Sequence, residues 1–163
     1  MHPSAQKVAD AAAQLGLDIS VVEFDQTTRT ATDAANAIGC QVGQIVKSLL
    51  FLADEQPVVT LVSGDNRLDE RKLAGLCGCG RKKIKRPDAD STKEITGYAI
   101  GGVPPFGHKF PMTVFVDEDL THYDVIWAAA GTPFAVFAVT PPALVTATRG
   151  QVANLKQDSE SQK

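Results

Sequence analysis

The order of predicted elements places this chain in the α+β class, as a single domain built on a mixed, curved sheet. Three observations predict it. Strand-length apolar runs follow one another directly at residues 45–52 and 57–62, and again at 125–130 and 134–139, with turn residues between them. Segments of helical period lie between such runs without strict alternation, so the pattern is neither βαβ throughout nor all-β, and the helices must cover one face or end of the sheet. The length of 163 residues suits one domain with a sizeable core that needs neither disulfides nor metal.

The elements follow in order. Ser4 is placed to cap a helix whose apolar positions Val8, Ala12 and Leu15 recur at helical spacing, with Gly16 as its stop. Residues 19–24 form a short β-rich run. Thr30-x-x-Asp33 is a capping-box variant ahead of Ala34, Ala35, Ala37 and Ile38, and Gly39 ends that helix. Strands at 45–52 and 57–62 pair across the turn Asp54-Glu55-Gln56. After the turn cluster at 63–66, Leu68, Leu73 and Leu76 mark a helix closed by Gly78 and Gly80. A short helical turn at 92–96 leads through the apolar run 98–100 to the loop at 101–108, which reads as joining two strands. Strands at 112–117, 125–130 and 134–139 follow, with Gly131-Thr132-Pro133 turning between the last two. Thr140 caps a final helix that opens on Pro141 and Pro142 and runs to about Thr148. The polar segment from Gln151 is expected to fray.

Composition narrows the function classes. Hydrophobic residues make up 44% and charged residues 21%, ordinary for a folded soluble protein. No apolar run approaches a membrane span, and Met1-His2-Pro3-Ser4 lacks the basic and apolar regions of a signal peptide. A cytoplasmic location is therefore expected, with no membrane partner. Cys40, Cys77 and Cys79 form no even framework, and Cys77-x-Cys79 is too tight for paired zinc ligands, so reduced structural cysteines and no metal are expected. A net charge of −3 argues against indiscriminate coating of nucleic acid, yet leaves room for a local basic face.

Several chemistries can be tested against the motifs. Gly102 followed by Gly107-His108-Lys109 comes near a phosphate-binding P-loop, but the lysine is one place late, no Ser or Thr follows, and two prolines spoil the run of backbone donors. Gly78-Cys79-Gly80 lacks the third glycine of a dinucleotide fingerprint and follows a helix pattern where that motif follows a strand. Nucleophile elbow and metalloprotease histidine pair are both missing. A hydrolase built on this chain works without a serine triad, a metal or a cofactor. His122 reads as a surface residue and His2 as part of a mobile end.

Three features remain. The loop Gly101-Gly102-Val103-Pro104-Pro105-Phe106-Gly107-His108 combines glycine freedom with proline stiffness, which makes a preorganised, side-chain-poor shelf able to bring backbone N–H groups to a ligand. Lys47 interrupts an apolar run on the same strand face as Ile45 and Leu49, where an ammonium must snorkel to solvent or meet an anion. The run Arg81, Lys82, Lys83, Lys85, Arg86 has two readings of equal standing, an edge strand protected by charge and a phosphate-contacting surface.

These residues also carry a resemblance. Gly43-Gln44-Ile45-Val46-Lys47-Ser48-Leu49, Val62-Ser63-Gly64-Asp65 with Arg67-Leu68-Asp69, Gly97-Tyr98 leading to Gly101-Gly102-Val103-Pro104-Pro105-Phe106-Gly107, Val114-Phe115-Val116-Asp117 and Ala129-Ala130-Gly131 together resemble the YbaK/prolyl-tRNA synthetase-associated domain family, from about Thr30 to Thr148. The resemblance implies a barrel-like mixed sheet surrounded by helices, an editing domain over residues 1–150 and a polar tail over 151–163. It implies a freestanding aminoacyl-tRNA deacylase that hydrolyses the ester of mischarged tRNA in trans, of a tRNA(Pro) type or one bearing a small amino acid, with aminoacyl-tRNA and an aminoacyl-tRNA synthetase as partners. Lys47 matches the family's functional lysine, and Gly101 with Pro105 its Gly-x-x-x-Pro loop. Gly131 falls in the later loop that closes the pocket, where Thr132 is a candidate for setting substrate choice. His108 lies just outside the motif, and no catalytic role is implied for it. A non-catalytic module that binds tRNA or a synthetase, and an esterase unrelated to RNA, are the alternatives.

Overall fold

The computed structural model describes residues 1–158. Its elements are α1 (Pro3–Gln14), β1 (Val21–Glu23), α2 (Ala31–Ile38), β2 (Ile45–Ala53), β3 (Gln56–Ser63), α3 (Glu70–Cys77), β4 (Ile84–Lys85), α4 (Ala89–Thr96), β5 (Thr113–Asp117), β6 (Ile126–Ala129), β7 (Ala135–Val139), α5 (Pro141–Thr148) and β8 (Gln151–Ala153). The strands form one mixed sheet in the order β1-β7-β6-β2-β3-β5-β8, with β4 attached to β2. The hairpin β2–β3 holds it together, in register from Val46↔Ser63 to Ala53↔Gln56. Its two-residue loop places Asp54 and Glu55 at φ 48° and 69°, the left-handed pair that matches the twist of tight hairpins. The pairs β2–β6, β3–β5 and β5–β8 are parallel, so the helices and long loops serve as crossovers.

One apolar cluster draws on strands from β5 to β7, with Val46, Leu50, Val59, Leu61, Val116, Ala128 and Phe137 among its members. The sheet curves around this cluster. Ala5, Val8 and Ala12 of α1 close one side, and Phe106 meets Phe137 with ring centroids 5.5 Å apart. The opposite face packs Phe51, Val62 and Phe115 under α3 through Leu73 and Ala74. The sheet is barrel-like but open, because β1 and β8 end the pairing order without meeting each other.

Four local expectations change. Helix α1 starts at Pro3 with His2 as its cap, His2 Nδ1 accepting from the Ser4 N–H at 3.0 Å; the fixed φ of proline suits the first helical position, which leaves Ser4 inside the helix. Helix α3 is capped by Asp69, whose carboxylate accepts from the Arg71 and Lys72 N–H groups, so Leu68 lies outside it. The run 98–100 is not a strand, since Gly97 at φ 87° stops α4 and turns the chain directly into the loop.

The largest change concerns the segment from Gln151. The expectation of a frayed tail fails over residues 151–158: β8 pairs with β5, Leu155 is fully buried, and Lys156 bridges back to Leu68. Its polar composition hid one apolar anchor and a set of backbone bonds, among them Asp69 N–H to Leu155 O at 2.7 Å and Gln157 N–H to Arg67 O at 2.8 Å. Residues 159–163 of the expected tail lie outside the described residues.

Candidate active site

β2 pairs with β3 along its whole length, but its other edge is covered only at its ends, by β6 at Ile45 and Val46 and by β4 at Leu52 and Ala53. A cavity of about 350 Å³ opens in the gap. Thr28–Ala31 from the segment entering α2, Val46–Leu50 of β2, Arg86, Ile100, Gly101, Val103 and Trp127 line it. Its charged lining residues are Lys47, Arg29 and Arg86, with no carboxylate among the described residues that line it. A chain that is acidic overall thus opens a cationic cleft.

Lys47 shares a strand face with Ile45 and Leu49, as its spacing predicts, and reaches the cleft because the cavity crosses the open edge of β2. Its Nζ donates to the backbone carbonyl of Asn66. That carbonyl belongs to a fixed loop: Asn66 Nδ2 donates to Asp117 Oδ2 and to Asp119 Oδ2, both at 2.8 Å, and the fully buried Asp117 carboxylate also accepts from the Ser63 N–H at 3.0 Å. Lys156 reaches the same cluster through Asp119 Oδ2 at 3.0 Å. Burial lowers the Lys47 pKa, and nearby Arg67 adds to that, while Asp117 and Asp65 oppose it.

The glycine loop is less of a shelf than its composition predicts. Gly101 and Val103 line the cleft, whereas Gly102, Pro104 and Pro105 are buried beneath it. Gly101 adopts φ 89°, and a Cβ there would stand 2.9 Å from Arg29 Cγ, so the arginine lies directly over the glycine. The Gly102 N–H is committed to the Ala99 carbonyl at 3.0 Å, and prolines have no N–H. Among the described residues the Gly101 and Val103 N–H groups make no hydrogen bond, and both residues line the cavity.

Gly131 and Thr132 act differently from the expectation that they face the pocket. They sit under the loop: a Cβ on Gly102 would come within 2.7 Å of Thr132 Cα and N, and one on Gly131 within 2.5 Å of Ser4 O in α1. The Thr132 hydroxyl accepts from the Phe134 N–H at 3.1 Å, which ties it to the turn before β7. Neither residue lines the cavity.

The basic run divides. Arg81 pairs with Glu70 at 2.8 Å, while Lys82, Lys83 and Lys85 are exposed away from the cavity. Only Arg86 turns into the cleft, its guanidinium over the Phe51 ring at 5.0 Å. Desolvation there lowers its pKa, and the opposing Glu70 is already engaged by Arg81. Of the edge strand read into this run only Ile84 and Lys85 form one, β4, while Arg81–Lys83 make a short 3-10 turn before it.

Sequence reasoning did not single out Thr28, Arg29, Ser48 or Trp127. Arg29 sits in a polar connection with no periodic signal, and Trp127 looked like an ordinary strand residue. His108 Nε2 lies 2.7 Å from the Pro104 carbonyl, so the neutral ring carries its proton on Nε2; burial lowers its pKa and the carbonyl opposes this. It supports the loop from behind.

Residues 25–147 match the sequence profile of the aminoacyl-tRNA editing domain. The chain belongs to the aminoacyl-tRNA editing domain family. Over 127 residues it is 30% identical to EbsC of Enterococcus faecalis (strain ATCC 700802 / V583), named as a candidate Cys-tRNA(Pro)/Cys-tRNA(Cys) deacylase, a match covering 77% of this chain and 76% of that protein. It is also 29% identical over 97 residues to proline–tRNA ligase of Thermoanaerobacter sp. (strain X514), covering 60% of this chain but only 17% of the ligase. A crystal structure described as that of a candidate trans-editing enzyme for prolyl tRNA synthetase superimposes with a TM-score of 0.91 at 45% identity, covering 97% of this chain and 99% of the other. The match thus spans nearly all of that crystallised chain and a small part of the ligase. Among its described residues no helix is long and apolar enough to cross a membrane.

Proposed function

We propose that this chain is a cytoplasmic trans-editing deacylase, a carboxylic ester hydrolase that cleaves the ester of mischarged aminoacyl-tRNA of the tRNA(Pro) type or bearing a small amino acid. The observation that carries the reading is the joining of Lys47, Gly101 and Val103 in one cationic cavity on a family-typical domain. An aminoacyl ester is already activated, so holding it, polarising its carbonyl and presenting water suffice for hydrolysis. Water adds to the ester carbonyl, the bond from that carbon to the ribose oxygen breaks, and the proton from water passes to the departing ribose hydroxyl.

Lys47 spends one of its donors on Asn66 and keeps two for the substrate, either the terminal phosphate or the developing oxyanion. The free N–H groups of Gly101 and Val103 supply the neutral donors. A second, smaller site makes physical sense after a synthetase, because one methylene is worth only about 1–3 kcal/mol of discrimination in a synthetic pocket. A synthetase is accordingly the expected neighbour in the cell, and the exposed lysines 82, 83 and 85 the expected contacts for tRNA phosphates.

The test is a deacylation panel with the purified chain and several mischarged tRNAs, read as loss of the aminoacyl ester over time. Clearance of one or a few of them above the uncatalysed rate is expected. Binding of tRNA with no clearance of any would favour the non-catalytic module, and cleavage of free amino-acid esters as readily as of tRNA would favour an esterase unrelated to RNA.

A further inference from the structure

The register of the central hairpin determines which backbone groups of β2 face the cleft. The two-residue loop closes on the pair Ala53↔Gln56, and at the other end the Ile45 carbonyl accepts from the Gly64 N–H at 2.8 Å. Odd-numbered residues of β2 therefore exchange bonds with β3, and even-numbered residues turn their N–H and C=O to the opposite edge. There Val46 is covered by β6 and Leu52 by β4. Ser48 and Leu50 lie in the gap.

Both neighbouring strands have physical reasons to stop short of it. The register Leu52↔Lys85 would bring Pro87 opposite Leu50, and proline has no N–H to give. Beyond β6, Gly131, the next residue whose N–H would face β2, adopts φ 90° against Ser4 of α1 and takes the chain into the turn before β7. Among the described residues the Ser48 carbonyl and the Leu50 N–H have no backbone partner outside the strand ladders, and the ladder ends on either side of them. The Ser48 hydroxyl oxygen is likewise buried without a partner. Buried polar groups are rarely left so, and both residues line the cavity.

We infer that this free edge is a base-reading subsite, in which the Ser48 carbonyl and the Leu50 N–H bind the Watson–Crick edge of the tRNA's terminal adenine. The inference rests on the deacylase reading and names the part of the substrate held beside the ester. An acceptor at one residue and a donor two residues on, along one strand edge, complement a planar ring with a donor next to an acceptor. Adenine presents its N6 amino group and N1 in that way, and unstacked RNA bases are commonly read on this edge. The base attached to the aminoacylated ribose enters the cleft with the ester. Trp127, Ile100 and Val103 offer it apolar and aromatic surface, while Arg29 and Arg86 are placed for the neighbouring phosphate.

The experiment follows the Leu50 amide of the ¹⁵N-labelled full chain by NMR during titration with AMP, 1-deaza-AMP and purine riboside monophosphate. AMP is expected to shift the Leu50 amide downfield, and the analogues lacking N1 or the amino group to bind about tenfold more weakly or worse. A Leu50 amide unmoved by AMP, or equal binding of all three nucleotides, would overturn the inference, and so would a stronger shift with CMP than with AMP. In a second arm, mischarged tRNA carrying the same replacements at its last base is expected to lose about tenfold or more in kcat/KM, with 7-deazaadenine at that base neutral. Deacylation indifferent to these replacements would overturn the base-reading edge alone. No deacylation of any mischarged tRNA would remove the deacylase reading and leave the AMP titration to decide on the edge.

Discussion

The ammonium of Lys47 donates to the backbone carbonyl of Asn66, and so its position is set by a loop that is distant in sequence. The loop is pinned in turn by the carboxylates of Asp117 and Asp119, and Asp119 is held by Lys156 from the C-terminal segment. The charge that faces the cleft is thus placed by β5 and by the residues after β8 as much as by β2. Half-buried and deprived of a direct carboxylate partner, this lysine differs from one that merely snorkels.

The packing of Gly102 on the turn at Thr132 yields a paired expectation. Gly102→Ala would force a Cβ to 2.7 Å from backbone atoms of Thr132, which cannot move aside as a flexible side-chain end can, so a loss of roughly 1–3 kcal/mol in stability is expected. Gly75→Ala in α3 meets nothing within 4 Å and should stabilise the fold by about 0.5–1 kcal/mol through helix propensity. Denaturant melts of the two variants check both signs. A neutral Gly102→Ala would mean that the two loops are not in contact.

Much of this arrangement was legible in the sequence, and what was not has physical reasons. Alternation placed Lys47 on the face of Ile45 and Leu49, Thr30 and Gly39 bounded α2, and the prolines at 141 and 142 opened α5, because each depends on neighbours in the chain. The fate of residues 151–158 depended on one buried leucine and on backbone bonds that no composition reveals. Arg29 enters the cleft only because Gly101 lies beneath it, a relation across more than seventy positions. The resemblance made Thr132 a candidate for setting substrate choice, yet the residue packs under Gly102 and outside the cavity lining.

The division of the basic run leads to a salt experiment. With Arg81 held by Glu70 and Arg86 in the cleft, Lys85 remains for tRNA phosphates outside the cavity together with the neighbouring pair Lys82 and Lys83. Replacing both by Gln should weaken tRNA binding and reduce the slope of log affinity against log salt by about one per lost contact. The choice of amino acid removed should not change. An unaltered slope would assign β4 to edge protection alone.

His108 gives the fold a pH dependence whose sign is fixed by its burial. Its folded pKa lies below the ordinary value of about 6.5, so as pH falls past that value the unfolded chain takes up a proton that the folded chain refuses. Stability from this group is present above the unfolded pKa and is lost as pH falls toward the depressed folded pKa. The folded chain should therefore lose more unfolding free energy between pH 7.5 and 5.5 than its His108→Gln variant, measured by urea denaturation at each pH. Equal losses would mean that the ring is free to protonate in place.

Lys47 carries the proposed chemistry, and the most direct measurement of its role is the single-turnover deacylation rate of Lys47→Ala on whichever mischarged tRNA the parent clears, with circular dichroism to show that the variant is folded. A fall of roughly two orders of magnitude or more is expected, the size associated with losing one well-placed electrostatic contact to a transition state. Lys47→Arg should not restore the rate, because a planar fork cannot occupy the seat of a compact ammonium beside the Asn66 carbonyl. A folded Lys47→Ala variant that clears the same tRNA at the parent rate would contradict the assignment.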